Sequence, residues 1–264
     1  MDETYQTYLN RVARLTLPAT HKSQLQHIQE SPKFKLLPDG GRQAVPFPGY
    51  SLVTSPWEEE PENSEFYTPL HELQQQLLQQ VDSGLIVMVP PQSFHLTLAD
   101  LIWDSAYRHV ETENPEFDQQ LQVCIKESFQ QYQQTLSNEK PMAWQPVGLM
   151  IRPRAIAMCL VPENENSYKQ MLQFRRSIYQ NPRLIALGIE QQYHFTAHVT
   201  LGYFGSISPQ LERERLAETL SNLSLQAIKE SEKLAPLYIR RAELRKFDDM
   251  IRYYREPNWP VLEF

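Results

Sequence analysis

Phe94-His95-Leu96-Thr97-Leu98-Ala99-Asp100-Leu101 and Ala197-His198-Val199-Thr200-Leu201-Gly202-Tyr203-Phe204-Gly205 are the two stretches on which the fold turns. Side chains alternate across a β-strand, so His95 and Thr97 share one face while Leu96 and Leu98 take the other. His198 and Thr200 stand against Val199 and Leu201 in the same way. Each strand therefore buries an aliphatic face and offers an imidazole and a hydroxyl on the opposite one.

Working outward, each stretch closes a similar unit. A strand at Tyr50–Thr54 and a helix at Tyr67–Val81, with Leu70, Leu73, Leu77, Leu78 and Val81 at helical spacing, precede the first. A strand at Ala155–Val161 and a helix at Ser167–Tyr179 precede the second. Tyr50 to His95 spans 45 positions and Ala155 to His198 spans 43. A strand–helix–strand unit used twice predicts two pseudo-equivalent lobes with their polar strand faces on one cleft. Further strands are expected at Leu85–Val89, Phe94–Leu101, Val147–Ile151, His194–Phe204, Leu237–Leu244 and Met250–Tyr254. Helices are expected over residues 2–15, at Phe117–Leu136 and at Pro209–Ile228. The Gln-rich runs, Gln74-Gln75-Gln76 among them, read as solvated helix faces. Residues 1–45 read as a helical extension and linker, and 46–264 as one bilobal domain.

Two histidines with ordinary pKa values near ~6.5 suit paired acid–base chemistry. The neutral one takes a proton from a nucleophile, and the protonated one donates to a leaving oxygen. Two threonine hydroxyls can hydrogen-bond the non-bridging oxygens of a phosphate as its charge grows. Such a site needs neither metal nor cofactor. His194-Phe195-Thr196 is a third His-x-Thr, and His194 is expected to flank the cleft on the strand that carries His198.

Composition excludes several alternatives. The eight glycines of the 264 residues never fall into GxGxxG or GxxxxGK[ST], so the backbone loops that cradle phosphate in dinucleotide-binding and P-loop proteins are missing. With 25 basic against 32 acidic residues the net charge is -7, which speaks against binding along long nucleic acid. A small anion in a local basic cleft fits. Cys124 and Cys159 form no CxxC pair, so neither a zinc site nor a disulfide framework is expected. The longest aliphatic run, Leu85–Val89, is far short of the ~20 residues of a membrane span. A cytoplasmic monomer without membrane contact is the expectation.

Arg152 and Arg154 flank Pro153 and are candidate anion contacts. Phe94, Trp103, Tyr193, Tyr203 and Phe204 are candidate stacking surfaces for a base. Asp100, Asp104 and His109, taken with His95 as metal ligands, lack a second ligand cluster. Arg240-Arg241 and Arg245-Lys246 read as surface charge.

The paired His-apolar-Thr-apolar motifs resemble the 2H phosphoesterase superfamily, which includes bacterial LigT-like enzymes and plant cyclic phosphodiesterases. The resemblance covers roughly residues 46–255. It implies an α+β bilobal fold, with two pseudo-symmetric antiparallel-rich sheets flanked by helices around a cleft. It implies His95 and His198 as catalytic residues, with Thr97 and Thr200 on the phosphate. The implied activity is metal-independent hydrolysis of a cyclic phosphate or short 2'-linked phosphodiester of a nucleotide. A binding module that holds a cyclic nucleotide without turnover, and an esterase on a non-nucleotide phosphodiester, are the alternatives. The motifs stand 103 residues apart, wider than in compact LigT-like chains, with an inserted helix between them. LigT-like sequences often carry Gly-Arg after the second motif. Here Gly202-Tyr203 stands there, leaving Tyr203, Arg152 or Arg154 to contact the substrate.

Overall fold

A computed structural model describes residues 2–135, 141–231 and 235–264. The chain opens with helices α1 (Tyr5–Leu15) and α2 (Pro18–Leu25). Thr4 caps α1 by accepting a hydrogen bond from the Thr7 amide, and Pro18 pre-sets the first turn of α2. A hairpin of β1 (Phe34–Leu36) and β2 (Arg42–Ala44) follows.

The first unit runs β3 (Gly49–Val53), α3 (Ser64–Gln80), β4 (Ile86–Met88) and β5 (Thr97–Trp103). Helices α4 (Asp104–Glu113) and α5 (Phe117–Gln133) then lead to β6 (Met142–Arg152). Leu136, the last position of the expected helix, lies outside the described residues. The second unit is β7 (Ala155–Pro162), α6 (Glu165–Tyr179), α7 (Pro182–Ala186) and β8 (His198–Phe204). The chain closes with α8 (Arg213–Ser231), β9 (Leu237–Ile239), β10 (Arg241–Phe247), β11 (Tyr253–Tyr254) and β12 (Val261–Glu263).

The long strands form two sheets. One has the order β11-β10-β3-β5 with β12 also on β10, and the other the order β4-β8-β7-β6-β9. Every pairing described is antiparallel. The fold is therefore α+β, with β5 against β3 in one sheet and β8 against β7 in the other. This is the doubled unit expected from the two motifs. β4 is a crossing element: it follows α3 in sequence but pairs with β8 of the second sheet.

One hydrophobic core runs through both sheets. Trp144, Phe174 and Leu201 are fully buried in it, each such side chain stabilising the fold by about 1.5–3 kcal/mol. The first two helices belong to the same core, since Tyr8, Val12 and Leu25 are fully buried within it. Cys124 and Cys159 are buried free thiols. Among the described residues, no helix is long and apolar enough to cross a membrane.

Several sequence expectations change: the strand expected from Phe94 begins only at Thr97, and the one expected over Leu237–Leu244 divides into β9 and β10. The strand expected from His194 begins only at His198. Arg245, read as surface charge, is buried and bonds the carboxylate of Glu243, whose other oxygen accepts from Ser55 Oγ at 2.8 Å.

Candidate active site

Both motif strands carry β-bulges, and the bulges decide what faces the cleft. In β5, register shifts leave Val53 opposite Thr97, Ser51 opposite Asp100 and Gly49 opposite Trp103. Each extra residue advances the face by one position. Thr97, Asp100 and Trp103 thus line the same cavity at a spacing of three, with buried residues between them. In β8 one shift sits opposite Ile156 and Ala157. It turns Tyr203, rather than Gly202, toward the face already occupied by His198 and Thr200. Gly202 meets β4 from behind: a Cβ there would stand 2.7 Å from Ile86 Cγ2 and 2.9 Å from the Val87 carbonyl.

The two histidines share one cavity of about 800 Å³. Each is half-buried and fixed in the same manner. His95 Nδ1–H donates to the Ser93 carbonyl at 2.7 Å, and His198 Nδ1–H donates to the Thr196 carbonyl at 2.7 Å. A carbonyl can only accept, so each neutral ring carries its proton on Nδ1 and leaves the Nε2 lone pair on the opposite edge. Burial holds His95 down to about 4 against its hydrogen bond to Ser93, with Arg245 adding to the effect. Burial also holds His198 down to about 4, with the Arg152 guanidinium and His95 adding to it. Tyr253 packs against the His95 ring, with centroids 4.2 Å apart. Thr97 and Thr200 line the cavity, and neither side chain is hydrogen-bonded among the described residues.

Each half of the site is held by the other half's helix. Gln74 of α3 donates to the carbonyls of Val89 and Leu201, both at 2.8 Å. Arg175 of α6 donates to the carbonyl of Leu98 and lies over the Phe195 ring at 4.7 Å. Leu98 and Leu201 hold the same position in the two motifs, directly after the threonines. Gln74, expected on a solvated face, is buried. Helix α1 steadies the approach to His198. Tyr8 Oη accepts from the Ala197 amide at 3.1 Å and donates to the Leu160 carbonyl at 3.0 Å. Arg11 bonds Thr196 Oγ1 at 2.7 Å and the Phe195 carbonyl at 2.5 Å.

His95, Thr97, His198, Thr200, Tyr203, Arg152 and Arg154 are all brought to this cavity. His194 is exposed and is not brought to it. Trp103 and Tyr193 reach the cavity wall, whereas Phe94 and Phe204 are buried in the core. Among the described residues no group of three or more His, Cys, Asp or Glu is placed to hold a metal ion. Sequence reasoning missed Lys33 and Tyr253, both in the cavity wall. Lys33 precedes the hairpin in a Pro-rich connection, and nothing in its local pattern points at the motifs.

The family model 2H-phosphodiest, described as "Domain of unknown function (DUF1868)", matches residues 33–143. That span holds the first motif, and Lys33 is its first residue. No curated protein matches the chain. Among solved structures, a conserved protein of unknown function, ATU0111 of Agrobacterium tumefaciens str. C58, is similar at a TM-score of 0.58 and 15% identity. That similarity covers 86% of this chain and 92% of the other, and it is a likeness of fold. LigT of E. coli complexed with 3'-AMP gives a TM-score of 0.41 at 13% identity, over 82% of this chain and 98% of that one. TT0787 of Thermus thermophilus gives 0.42 at 17% identity, over 81% and 94%.

Proposed function

We propose that this chain is a 2H phosphoesterase, a reading supported by the family model that matches residues 33–143, and that it opens a cyclic phosphate or a short 2'-linked phosphodiester of a nucleotide. The observation that carries the reading is the matched pair of imidazoles. Each has its proton tied back to a carbonyl two residues earlier and its Nε2 free, in one cavity with two unbonded threonine hydroxyls.

In the reaction, one neutral imidazole takes the proton of a water as its oxygen attacks phosphorus. The bond from phosphorus to the ribose oxygen breaks, and the other imidazole, protonated, gives its proton to that oxygen. The product is a phosphate monoester when the diester is cyclic. Thr97 and Thr200 donate to the non-bridging oxygens as their charge rises, in a half-buried cleft where such bonds count for more than in water. Both histidines are neutral in the free protein near pH 7, so the acid must gain its proton in the complex. A bound phosphate supplies the reason, because its negative charge raises the pKa of an imidazole beside it.

The test is turnover in the presence of EDTA on 2',3'-cyclic nucleotides, 3',5'-cyclic nucleotides and 2',5'-linked dinucleotides. Wild-type protein is expected to cleave at least one of them, and His95→Ala and His198→Ala each to lose about 10² or more in rate. Absence of turnover on all of them, or activity that survives both substitutions, would sink the assignment. Binding without turnover would leave the chain a nucleotide-binding module.

A further inference from the structure

The cleft gathers positive charge that no carboxylate pairs with among the described residues, although Arg154 also bonds Gln29 Oε1 at 3.2 Å. Lys33, Arg152 and Arg154 all line it, and none of the three is ion-paired among the described residues. Arg152 ends β6 near His198, and its Nε is buried without a hydrogen-bond partner. Its place beside the imidazole suits the phosphate under attack.

Lys33 occupies a different part of the cavity. Its ammonium lies 4.4 Å from the Phe47 ring centroid, 5.1 Å from that of Tyr203 and 3.1 Å from Met250 Sδ. Around it stands a second apolar cluster built on Phe34, Phe247 and Met250. Burial in this setting, with the repulsion of Arg154, lowers Lys33 to about 8 despite the attraction of Asp100. A half-buried ammonium in an apolar wall, with the exposed Arg154 guanidinium repelling it, costs free energy, and a bound anion relieves that cost. Tyr203, which the ammonium faces, lies three residues beyond Thr200 on β8. The bulge between them leaves Tyr203 opposite Ala155 and Thr200 opposite Ala157, so at about 3.3 Å per residue the two stand about 7 Å apart along the strand, with Lys33 at the Tyr203 end. Arg152 beside His198 and Lys33 beside Tyr203 thus mark two different places in the cavity, as two phosphates on one nucleoside require.

We propose that Lys33 and Arg154 form a second anion subsite, and that the substrate is a nucleotide carrying one more phosphate at its 5' end, away from the phosphodiester that is cleaved. The proposal rests on the phosphodiesterase reading for the position of the reacting group. It adds a requirement that reading does not contain.

Three substrates separate the cases: adenosine 2',3'-cyclic phosphate with a free 5'-hydroxyl, the same compound with a 5'-phosphate monoester, and a dinucleotide in which that 5' position is a bridging diester. The expected result is a kcat/KM at least about tenfold higher with the 5'-phosphate monoester, carried mainly by KM, as a charge-assisted contact gives. A dinucleotide matching the monoester would assign the subsite to an internal phosphate, and one matching the free hydroxyl would assign it to a terminal one. In Lys33→Met the preference is expected to shrink below about twofold, and in Arg154→Gln to narrow. The quantity read is a ratio of substrates, so a general loss of activity cancels. Equal kcat/KM for the first two substrates in wild type overturns the subsite and leaves the phosphodiesterase reading standing. If no substrate is turned over, calorimetry with adenosine 3'-monophosphate and adenosine 3',5'-bisphosphate decides the subsite separately, and equal affinities overturn it.

Discussion

Replacing Gln74 with Leu removes one buried amide and keeps most of its volume, so the lost hydrogen bonds dominate the effect. Gln74 Nε2 donates to the carbonyls of Val89 and Leu201 at 2.8 Å each. Leu201 O keeps the Val89 amide as a second donor at 3.1 Å. Val89 O has Gln74 as its described donor and becomes a buried orphan. One orphaned carbonyl at about 1–3 kcal/mol, with one lost bond at about 0.5–1.5 kcal/mol, gives a destabilisation of about 3 kcal/mol. A chain of this length unfolds with an entropy of about 0.55 kcal/mol per kelvin, so Tm should fall by about 5 °C. Urea unfolding and a thermal scan measure both numbers. Activity follows a separate course. Leu201 adjoins Thr200, and relaxation of β8 by even ~1 Å at the reacting groups should cost about 10² in kcat/KM on the substrate that wild type cleaves. A Tm drop under 1 °C would refute the bonding argument. Full kcat/KM in a destabilised variant would show that Gln74 holds the fold and not the geometry of the site.

The pH dependence has a defined sign. With both imidazoles held near 4 in the free cleft, the fraction carrying a proton falls tenfold per unit above about pH 5. Log kcat/KM should therefore decline with slope near -1 from pH 5 to 7, while the limb in kcat lies higher because bound phosphate raises the pKa. A flat kcat/KM over that range would contradict it. Because these folded-state values lie below the ordinary ~6.5, stability is full above that pH and is lost as pH falls from 6.5 toward 4, which denaturation midpoints would register. Thr97→Val and Thr200→Val should each lower kcat about 10–10²-fold with Tm unchanged, since neither hydroxyl is bonded within the described fold; a Tm loss with normal kcat would reverse their roles. Arg245→Met removes the nearer of two cations on the buried carboxylate of Glu243, leaving Arg241 at 3.6 Å, and should cost about 3–5 kcal/mol in urea unfolding. A cost under 1 kcal/mol would mean that the carboxylate simply takes up a proton.

The doubled unit is legible in the sequence because strand alternation and helical spacing are local signals. His-x-Thr-Leu marks a half-polar strand twice, and the leucines of α3 recur at helical intervals without reference to anything distant. Asp100 and Trp103 are visible as residue types but cannot be placed by alternation. Two bulges in β5 convert a spacing of two into a spacing of three, and bulges answer to the partner strand rather than to the bulged sequence. Gln74 escapes a sequence reading because a buried amide inside a glutamine run looks like its solvated neighbours. Its burial is set by carbonyls 15 and 127 residues away. Arg245 escapes because its burial answers to Glu59, 186 residues away, as well as to Glu243 two positions before it on β10. Lys33 belongs to the site only because the chain folds its first segment back across the cleft.

The exchange of hydrogen bonds between α3 and α6 also has a mechanical meaning. Gln74 reaches the second motif at Leu201, and Arg175 reaches the first at Leu98. Because α3 and β4 are tied to β8, the chain must cross from the second sheet to the first to reach β5, and that crossing bounds how far the two motif strands can part. A ligand is then gauged by a bounded aperture. Discrimination by width becomes a property of that bound, and discrimination by charge is left to the side chains along its rim.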